Sequence, residues 1–432
     1  MRIPLLVFCA AMTAAGTTPL IAQDSLGREP VSLLQVLDSV AARYPSLEAA
    51  RARIRAARGS RRAGGTLGNP MLMYQVENQP LPGRAGPPMD REIMLTATLP
   101  LEPLYQRWSR VSGANAEIRA AEADAQADRQ RIELDATRAF YRMARAQVAL
   151  AAARDLTAWL DSVVVYNRTR AKEGVAAEAD LIRSELERDR AEADATMQEA
   201  DLARARADLS VFLGDEPELF RVTAFHAPLA LPDVPLMSRA GSARPDIRAA
   251  RERVAAAGAG VTTERTGLIR QLGLTVGTKR TSGTTSLIAG VSMPFPLFDQ
   301  NRGAIARAAA EREAATFDLA TQERIGRAEI EGAAESARLL TDRARVLAGA
   351  AQGQGYLARA DEARRIALGA YREGAVPLIQ VIDAARAWGE AQLVYYQLLH
   401  AQHESVVQLL VAEGQDVAST LPTLTISAEA RP

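Results

Sequence analysis

Two histidines near the C-terminus have the spacing most suggestive of chemistry. His400 and His403 lie three residues apart, which places them on one face of a helix, and Glu404 follows directly. This spacing is compatible with metal binding, but no nearby Cys or third His completes a zinc site. We therefore interpret the pair as exposed or as part of an interface, and we assign no metal ligand.

Other residues that could support catalysis are few. The only further histidine is His226, and the only cysteine is Cys9. The sequence has no nucleophile elbow, no phosphate-binding glycine loop and no zinc motif. Its carboxylates follow helical charge patterns and are explained as helix surfaces. We expect no catalytic residue and no cofactor, which makes an exported enzyme a poor alternative.

The composition favours long helices that pack side by side. The 432 residues include 52 basic and 52 acidic side chains, so the formal net charge is zero and no nucleic-acid partner is expected. Aromatic residues make up only 5%, and much of the apolar fraction is alanine. Few bulky side chains are available to fill a deep core, whereas alanine-rich, charge-rich sequences are typical of long helices.

The N-terminus is predicted to be a secretory signal peptide at residues 1–23. Arg2 supplies the positive charge, residues 5–12 are apolar, and Ala22 is a suitable last residue before cleavage. No lipid attachment is expected at Cys9, because bulky residues precede it and the apolar stretch would be cut in half. The chain is therefore predicted to be exported.

The sequence contains an internal duplication. Residues 45–54 recur as 245–254, 173–174 recur as 373–374, and 209–214 correspond to 409–414, each displaced by 200 positions. We predict two repeats with a linker between them and a tail after them. Their bounds are 24–214 for the first repeat, 215–236 for the linker, 237–414 for the second repeat and 415–432 for the tail.

Each repeat is predicted to contain a first helix, a β pair and a long helical hairpin. A helix of about 60 residues is about 90 Å long and needs coiled-coil-like support from its neighbours. The predicted helices are 32–62, 109–170 and 177–212 in the first repeat, and 237–267, 301–371 and 377–412 in the second.

Four segments alternate between apolar and other residues with a period of two, which predicts strands. In the first of them Leu72, Tyr74 and Val76 alternate with Met71 and Met73. Each segment is close to the roughly 10 residues that a tilted membrane strand needs, although a half-buried soluble sheet gives the same pattern. The predicted strands are 70–78, 92–101, 271–280 and 285–297.

If these strands lie in a membrane, one chain is not enough. The smallest spanning barrels have eight strands, and unpaired strand edges are not tolerated in lipid. The chain would then have to oligomerise and share one barrel among its subunits. The sequence thus predicts a mostly α protein with a small β part, in which a membrane pore is continued by a helical tube.

Several short motifs stand out in the two repeats. They are Asn69-Pro70 followed by residues 76–78, the segment 99–102, the strand-to-helix segment 294–303, and the duplicated glycines Gly174 and Gly374. In these motifs the chain resembles the TolC-like outer-membrane efflux proteins, and most closely the branch typified by CzcC and CusC. The resemblance covers nearly the whole chain after the signal peptide.

This resemblance implies a homotrimer with a twelve-stranded outer-membrane β-barrel and a periplasmic tunnel made of duplicated coiled-coil hairpins. It also implies contact with outer-membrane lipid, with a periplasmic adaptor protein, and with an inner-membrane pump, commonly a proton-driven one of the RND type. The expected cargo is a metal cation or a small toxic molecule, and heavy-metal resistance is favoured through the CzcC-like motifs.

The resemblance also implies two sets of site residues at the helix tips. The candidate gate or constriction residues are Asp180, Tyr371, Gln380 and Asp383. The candidate adaptor-contact residues are Glu173, Gly174, Val175, Glu373, Gly374 and Ala375. Acidic rings in a trimer would favour cations. The alternative is that Asp180 and Asp383 are solvated carboxylates near helix caps.

A periplasmic coiled-coil adaptor or structural stalk without a pore remains the main alternative. Such a protein would explain the helices and the export signal. It would leave the four alternating segments without a role, and no lipoyl-like or barrel domain typical of adaptors is recognisable.

Overall fold

The computed structural model describes residues 30–79, 83, 89–175, 177–214, 220–223, 227–232, 244–267, 272–293, 295–349 and 355–429. The predicted signal peptide, His226 and parts of the predicted linker lie outside the described residues.

The described part of the chain is mainly helical. None of its helices is both long and apolar enough to cross a membrane. In chain order the helices are α1 Leu33–Arg43, α2 Pro45–Gly65, α3 Glu102–Lys172, α4 Glu178–Leu213, α5 Pro245–Thr266, α6 Arg302–Ala348, α7 Tyr356–Arg372, α8 Leu378–Ala412 and α9 Val417–Glu429. Helix α9 lies in the segment that the sequence was expected to leave as a tail.

The first predicted helix, 32–62, is two helices, because the chain turns at Tyr44. Pro45 has no N–H and disfavours helical backbone at the residue before it, and Tyr44 is extended accordingly. Pro245 starts α5 in the same way, eight residues after the predicted start at 237. Proline at the first helical position is favourable, since that N–H would have no partner in the helix.

Helix α3 begins seven residues before the predicted position and is continuous for 71 residues. Pro103 stands in its first turn, where proline is tolerated. At 1.5 Å per residue the helix is about 107 Å long.

The prediction of an equally continuous helix over 301–371 is wrong. Helix α6 ends at Gly349, which has a left-handed backbone with φ of 90°, and α7 starts only after the extended Gly355. A left-handed residue ends a helix, and glycine adopts it without steric cost. Leu347, Tyr395 and Leu399 form a small buried cluster beside this break.

The four strands form one antiparallel sheet in chain order, with β2 of the first repeat paired to β3 of the second. Strand β4 stops five residues before the predicted end at 297, in agreement with prolines 294 and 296, which cannot donate to a strand ladder. Ser282 and Gly283 have positive φ and connect β3 to β4 in a two-residue hairpin. The strands are β1 Met71–Glu77, β2 Glu92–Pro100, β3 Gly273–Thr281 and β4 Thr284–Ser292.

The largest apolar core lies at mid-height of the helical bundle. It joins α1, the middle of α3, the C-terminal ends of α4 and α8, and α9, and it includes Phe220, Val222 and Leu229 from the predicted linker. Tyr44 stacks on Phe212 at its margin with ring centroids 5.6 Å apart. The described linker residues are therefore part of the core.

Two glutamine side chains hold this linker to the helices. Gln147 of α3 accepts from the N–H of Val222 at 2.8 Å and donates to its carbonyl at 3.1 Å. Gln402 of α8 accepts from the N–H of Leu229 at 3.1 Å and donates to its carbonyl at 3.0 Å. Each amide thus satisfies both backbone groups of one linker residue, as a neighbouring strand would.

Candidate functional site

The sheet register collects the apolar strand residues on one face. Residues directly opposite each other in an antiparallel sheet point to the same side. The register pairs Tyr74 with Leu95 and Val276 with Ala289, and it thereby puts one set of apolar residues from each strand on the same face. On this face only Thr278, Arg280 and Thr285 are polar, and they lie toward the hairpin turn. The apolar face consists of Leu72, Tyr74, Val76, Ile93, Leu95, Ala97, Leu99, Leu274, Val276, Leu287, Ala289 and Val291.

Large side chains on this face are exposed in the single chain. Leu72 is 71% exposed, Leu287 76% and Val291 69%. This apolar surface is therefore uncovered among the described residues. The opposite face carries mostly Thr, Ser, Gly, Gln, Glu and Lys, and Lys279 pairs there with Glu92 at 2.5 Å. The sheet therefore has one apolar and one polar surface, with β1 and β4 as edge strands of the sheet.

At the other end of the long helices, the two repeats make the same turn. Gly174 and Gly374 have φ of 72° and 79°. The N–H of Val175 donates to the carbonyl of Arg170 at 2.9 Å, and the N–H of Ala375 donates to that of Ala370 at 2.9 Å. Glycine in this conformation closes a helix by satisfying its last carbonyls.

The predicted adaptor-contact residues all lie on the exposed surface of these two turns. Val175 is an apolar side chain that is 63% exposed. The others in the predicted set are exposed too, namely Glu173, Gly174, Glu373, Gly374 and Ala375.

The predicted gate residue Tyr371 is buried where α7 meets α3. Its hydroxyl donates to Oδ1 of Asn167 at 2.6 Å, and both side chains are buried. Tyr166 packs edge-on against the Tyr371 ring with centroids 5.9 Å apart. The Arg170 guanidinium lies 5.5 Å and 5.8 Å from the centroids of these two rings, a cation–π arrangement.

Asp180 acts electrostatically on this cluster. Burial raises the pKa of the Tyr371 hydroxyl, the negative charge of Asp180 raises it further, and Arg170 lowers it. Asp180 is half-buried in the first turn of α4. The structure therefore brings two of the four predicted gate residues together. Gln380 and Asp383 are exposed on α8, the helix whose Leu378, Val381 and Ile382 pack in the same apolar cluster as Tyr371.

Sequence reasoning missed Asn167 and Arg170, the two α3 residues that complete the cluster. A signal for them exists: Val163, Tyr166, Asn167 and Arg170 follow the three- and four-residue spacing of one helix face. Neither residue has a like residue at the equivalent position of the second repeat, where alanines stand at 367 and 370.

The histidine pair is not an exposed pair. His403 is buried, its Nε2 lies 2.9 Å from the carbonyl oxygen of Ala227, and its ring packs edge-on against Tyr141 at 5.0 Å. Burial lowers the pKa of His403 to about 4 and raises the pKa of Tyr141, since both charged forms are disfavoured. His400 is partly buried in the same region. Within the described residues, no cluster of three or more His, Cys, Asp or Glu side chains could hold a metal ion.

A family model described as outer membrane efflux protein matches residues 36–215 and 236–415, most of the chain. The chain belongs to this family. The two matched segments also follow the internal duplication. The comparison with curated protein sequences finds no match.

Solved structures show that the fold is that of TolC-like channel proteins. The outer-membrane channel OprN is 21% identical with a TM-score of 0.76, and the match covers 89% of this chain and 90% of that one. CusC, whose structures concern transmembrane channel formation, is 17% identical with a TM-score of 0.75, over 89% and 92% of the two chains. VceC from Vibrio cholerae is 21% identical with a TM-score of 0.72, over 89% and 96%.

These comparisons confirm the predicted family and fold class, a mostly α chain with four antiparallel strands. CusC is among the matched structures, but the identities to CusC, OprN and VceC are all low and do not separate the branches of the family. The predicted gate and adaptor residues stay predictions.

Proposed function

We propose that this protein is the outer-membrane exit duct of a tripartite efflux system. Three chains would share one twelve-stranded barrel, and their helices would form a tunnel through the periplasm to an adaptor and an inner-membrane pump. The cargo would be a metal cation or a small toxic molecule. Residues 1–23 would direct export.

The observation that carries this proposal is the sheet. One face is apolar and uncovered, and among the described residues each of its two edge strands pairs on one side only. In water such a surface would be an aggregation hazard. In a membrane the apolar face would contact lipid, and the edges would pair with those of neighbouring subunits to close the barrel.

The helix tips would form the gate at the periplasmic end. The buried hydrogen bond between Tyr371 and Asn167, with the charge of Asp180 acting on it, joins the two hairpins and could hold a constriction closed. Gln380 and Asp383 are exposed on α8 and are available to line the opening. The six exposed turn residues of the two tips would contact the adaptor.

A pair of adjacent substitutions tests the barrel. Leu287→Arg places a charge on the apolar face, which costs about 2–4 kcal/mol near the middle of a bilayer. Ser286→Arg places the same charge on the polar face, where water would solvate it. We expect Leu287→Arg to abolish SDS-resistant trimers in the outer-membrane fraction and conductance in planar bilayers, and Ser286→Arg to retain both.

The stalk alternative makes a different prediction. A stalk without a pore tolerates both substitutions equally and purifies without detergent as a soluble species that does not conduct. Either that behaviour, or equal loss with both variants, would contradict the proposed orientation of the sheet.

A further inference from the structure

Exposed aromatic side chains mark the level where the helices meet the sheet. Trp108 lies in the second turn of α3 and is 76% exposed. Phe295 and Phe298, between β4 and α6, are 80% and 96% exposed. Tryptophan is enriched where lipid meets water, because its apolar ring carries a polar N–H. We call this level the junction belt and define it as residues 59–65, 102–108, 260–266 and 293–308.

The junction belt carries positive charge without acidic partners. Arg61 of α2, Arg265 of α5 and Arg302 of α6 are exposed. Among the described residues, none of the three forms an ion pair. Two acids of the belt, Glu264 and Asp299, instead accept hydrogen bonds from one asparagine at 3.0 Å and 2.9 Å. By sequence the belt contains six arginines and three acids, so its charge is basic.

Contacts between the helices place the four helix ends of the belt at one height. The guanidinium of Arg107 at the start of α3 donates to the carbonyl of Gly65 at the end of α2, at 3.0 Å. The hydroxyl of Thr263 in α5 donates to that of Ser109 in α3 at 2.8 Å. The side-chain amide of Asn301, just before α6, donates to a carbonyl of α5 at 2.7 Å. The belt therefore runs across all four helices beside the sheet.

Trp108 lies on the outer side of the proposed tunnel. Asn115, Glu122 and Arg129 follow it at seven-residue intervals, so all four share one stripe of α3. The guanidinium of Arg129 lies 3.9 Å from the carboxylate of Asp416, which directly precedes α9. At mid-height this side of α3 is thus covered by additional elements, namely α1, the linker and α9. In a tunnel these elements must lie outside, because inside they would fill the passage.

Arg61 lies on the same outer side. Its Nε donates to Oδ1 of Asn115 at 2.6 Å, and Asn115 belongs to the stripe of Trp108. This amide oxygen is neutral, so the contact orients the guanidinium and leaves its charge available. Asn115 is about 10 Å farther from the sheet than Trp108 along the helix axis. The order of sheet, tryptophan and arginine repeats the order of hydrocarbon, interface and phosphate in a lipid leaflet.

Arg302 and Arg265 also follow stripes on the outer side. Arg302 shares its stripe of α6 with Ile330, which is buried in the mid-height core. Arg265 is two heptads from Arg251 on α5, and Arg251 pairs at 3.5 Å with Glu323, which is on the stripe of Arg302. Three helices of the belt therefore each present one unpaired arginine to the side on which the proposed function places the lipid.

Phosphate is the chemical group that such a surface selects. A guanidinium donates two parallel hydrogen bonds to phosphate oxygens, and a basic residue near a membrane strengthens the attraction to anionic lipid about fivefold. We propose that Arg61, Arg265 and Arg302 bind the headgroup phosphates of anionic phospholipids in the leaflet nearer to the helices, beside Trp108. This inference rests on the proposed function, because that function makes the sheet part of a barrel in lipid.

The fluorescence of Trp108 measures which lipid lies beside the belt. The chain has three tryptophans, and Trp159 is about 77 Å farther along α3. Trp388 lies beside Trp159, since both rings pack on the guanidinium of Arg364, at 4.0 Å and 5.6 Å. Lipids brominated in the acyl chain quench only a nearby indole, so Trp108 is the reporter in a membrane. Trp108→Phe should therefore remove the quenching.

The full-length protein is reconstituted into vesicles with equal parts of phosphatidylcholine and phosphatidylglycerol, with bromine on either lipid. We expect brominated phosphatidylglycerol to quench Trp108 more strongly, with an association at least about fivefold tighter than that of phosphatidylcholine. The combined variant Arg61→Gln, Arg265→Gln, Arg302→Gln should lower this ratio to about one, while quenching by both lipids persists. The combined variant Arg61→Lys, Arg265→Lys, Arg302→Lys should keep a preference, because lysine retains the charge.

The matched control neutralises three arginines far from the belt. Arg324, Arg327 and Arg343 are exposed on α6, at least about 33 Å from Arg302 along the helix, and form no ion pair among the described residues. The variant Arg324→Gln, Arg327→Gln, Arg343→Gln should keep the wild-type ratio. Equal quenching by the two lipids in the wild type, or an unchanged ratio in the glutamine variant of the belt, would overturn the site. Loss of the preference on addition of inorganic phosphate would assign the arginines to a free anion and also overturn it.

Potassium conductance separates this inference from the proposed function. A wild-type channel that conducts potassium, but in which Trp108 is quenched equally by both lipids, refutes the lipid site alone. No quenching by either lipid in a conducting channel places the belt outside the membrane and also refutes the site. A protein that forms no channel refutes the proposed function, whatever lipid it binds.

Discussion

The two repeats end their long hairpins with the same backbone but surround it with different side chains. Each backbone hydrogen bond that closes the turn at Gly174 has a counterpart 200 residues later at Gly374. The side chains that join the hairpins do not repeat: Tyr371 corresponds to Ala171, and Asp180 to Gln380. The duplication preserves the turn, while contacts between unlike copies depend on residues that have diverged.

The same contrast holds at mid-height. Gln402 and His403, which bond to the linker, correspond to Leu202 and Ala203 in the first repeat. A single linker can pack on only one side of each copy. The residues that bind the linker are therefore found in one repeat only, because the linker itself is not duplicated.

The largest expected effect is a loss of folding stability in acid caused by His403, which has no titratable counterpart in the first repeat. Its pKa is lowered to about 4 by burial, with a smaller effect of His400 in the same direction and an opposing one of the Ala227 carbonyl. As the pH falls, the unfolded chain binds a proton at this residue before the folded chain does. The folding stability that neutral His403 contributes is therefore complete above about pH 6.5 and is lost as the pH falls to about 4. The loss would be up to about 3 kcal/mol.

Guanidinium unfolding followed by circular dichroism at pH 7 and pH 4 measures this loss. His403→Gln keeps an N–H for the Ala227 carbonyl but cannot titrate, so it should lose less stability than the wild type over this interval. Equal losses in the two proteins would assign the acid sensitivity to other groups.

The second largest expected effect is on channel opening, and it tests the hydrogen bond between Tyr371 and Asn167 that joins the two hairpins. Tyr371→Phe leaves Asn167 with a buried, unpaired oxygen, which costs about 1–3 kcal/mol. If this contact closes the gate, the ratio of open to closed channels should rise about tenfold or more in planar bilayers. Tyr166→Phe is the control, because its hydroxyl lies 3.5 Å from the Arg372 carbonyl oxygen and loses little.

This contact also has a predicted pH dependence. Because the pKa of Tyr371 is raised, its hydroxyl stays protonated above the ordinary value of 10. The stabilising contact is present below that value and is lost as the pH rises through the raised pKa. Alkaline opening that persists in Tyr371→Phe would contradict this assignment.

A smaller effect tests whether the two turns are equivalent. Gly174→Ala and Gly374→Ala each force a Cβ into left-handed backbone, at a cost of about 1–2 kcal/mol. Amide hydrogen exchange at Val175 and Ala375 should accelerate to similar extents. Gly369→Ala is the control, since it lies inside α7 with open space around it and should stabilise the helix. Acceleration at one turn alone would show that the copies differ in backbone stability.

The smallest effect concerns the tip acids. Asp180→Asn combined with Asp383→Asn should reduce the preference for cations over anions, measured as the reversal potential in a potassium chloride gradient. Gln380 is already neutral, so Gln380→Asn serves as the control. Unchanged selectivity would remove both aspartates from the pore and leave them as solvated helix residues.

Local patterns in the sequence were sufficient to predict the fold class. Alternation with period two located the strands, and the duplicated glycines located the turns. The break between α6 and α7 was missed because helical periodicity was extended across it, although glycines at 349, 353 and 355 signal it. The early start of α3 was missed because Pro103 stops a helix in its interior but is accepted in its first turn.

The site residues were missed for a different reason. Gln147, Asn167 and Gln402 look like ordinary polar residues of a helix surface, and only the packed structure shows that they are buried opposite specific partners. A pattern on one helix cannot identify a partner that is distant in the sequence. The family resemblance placed Asp180 and Tyr371 at the tips of the two repeats, but it could not predict the hydrogen bond to Asn167.

The glutamine bonds to the linker have a consequence for how the gene could be divided. Val222 and its partner Gln147 both precede residue 224, while Leu229 and its partner Gln402 both follow residue 226. A polypeptide cut within 224–226 keeps each glutamine and the linker residue that it binds in the same fragment. Each separately expressed half should therefore keep its own contact between a glutamine and the linker.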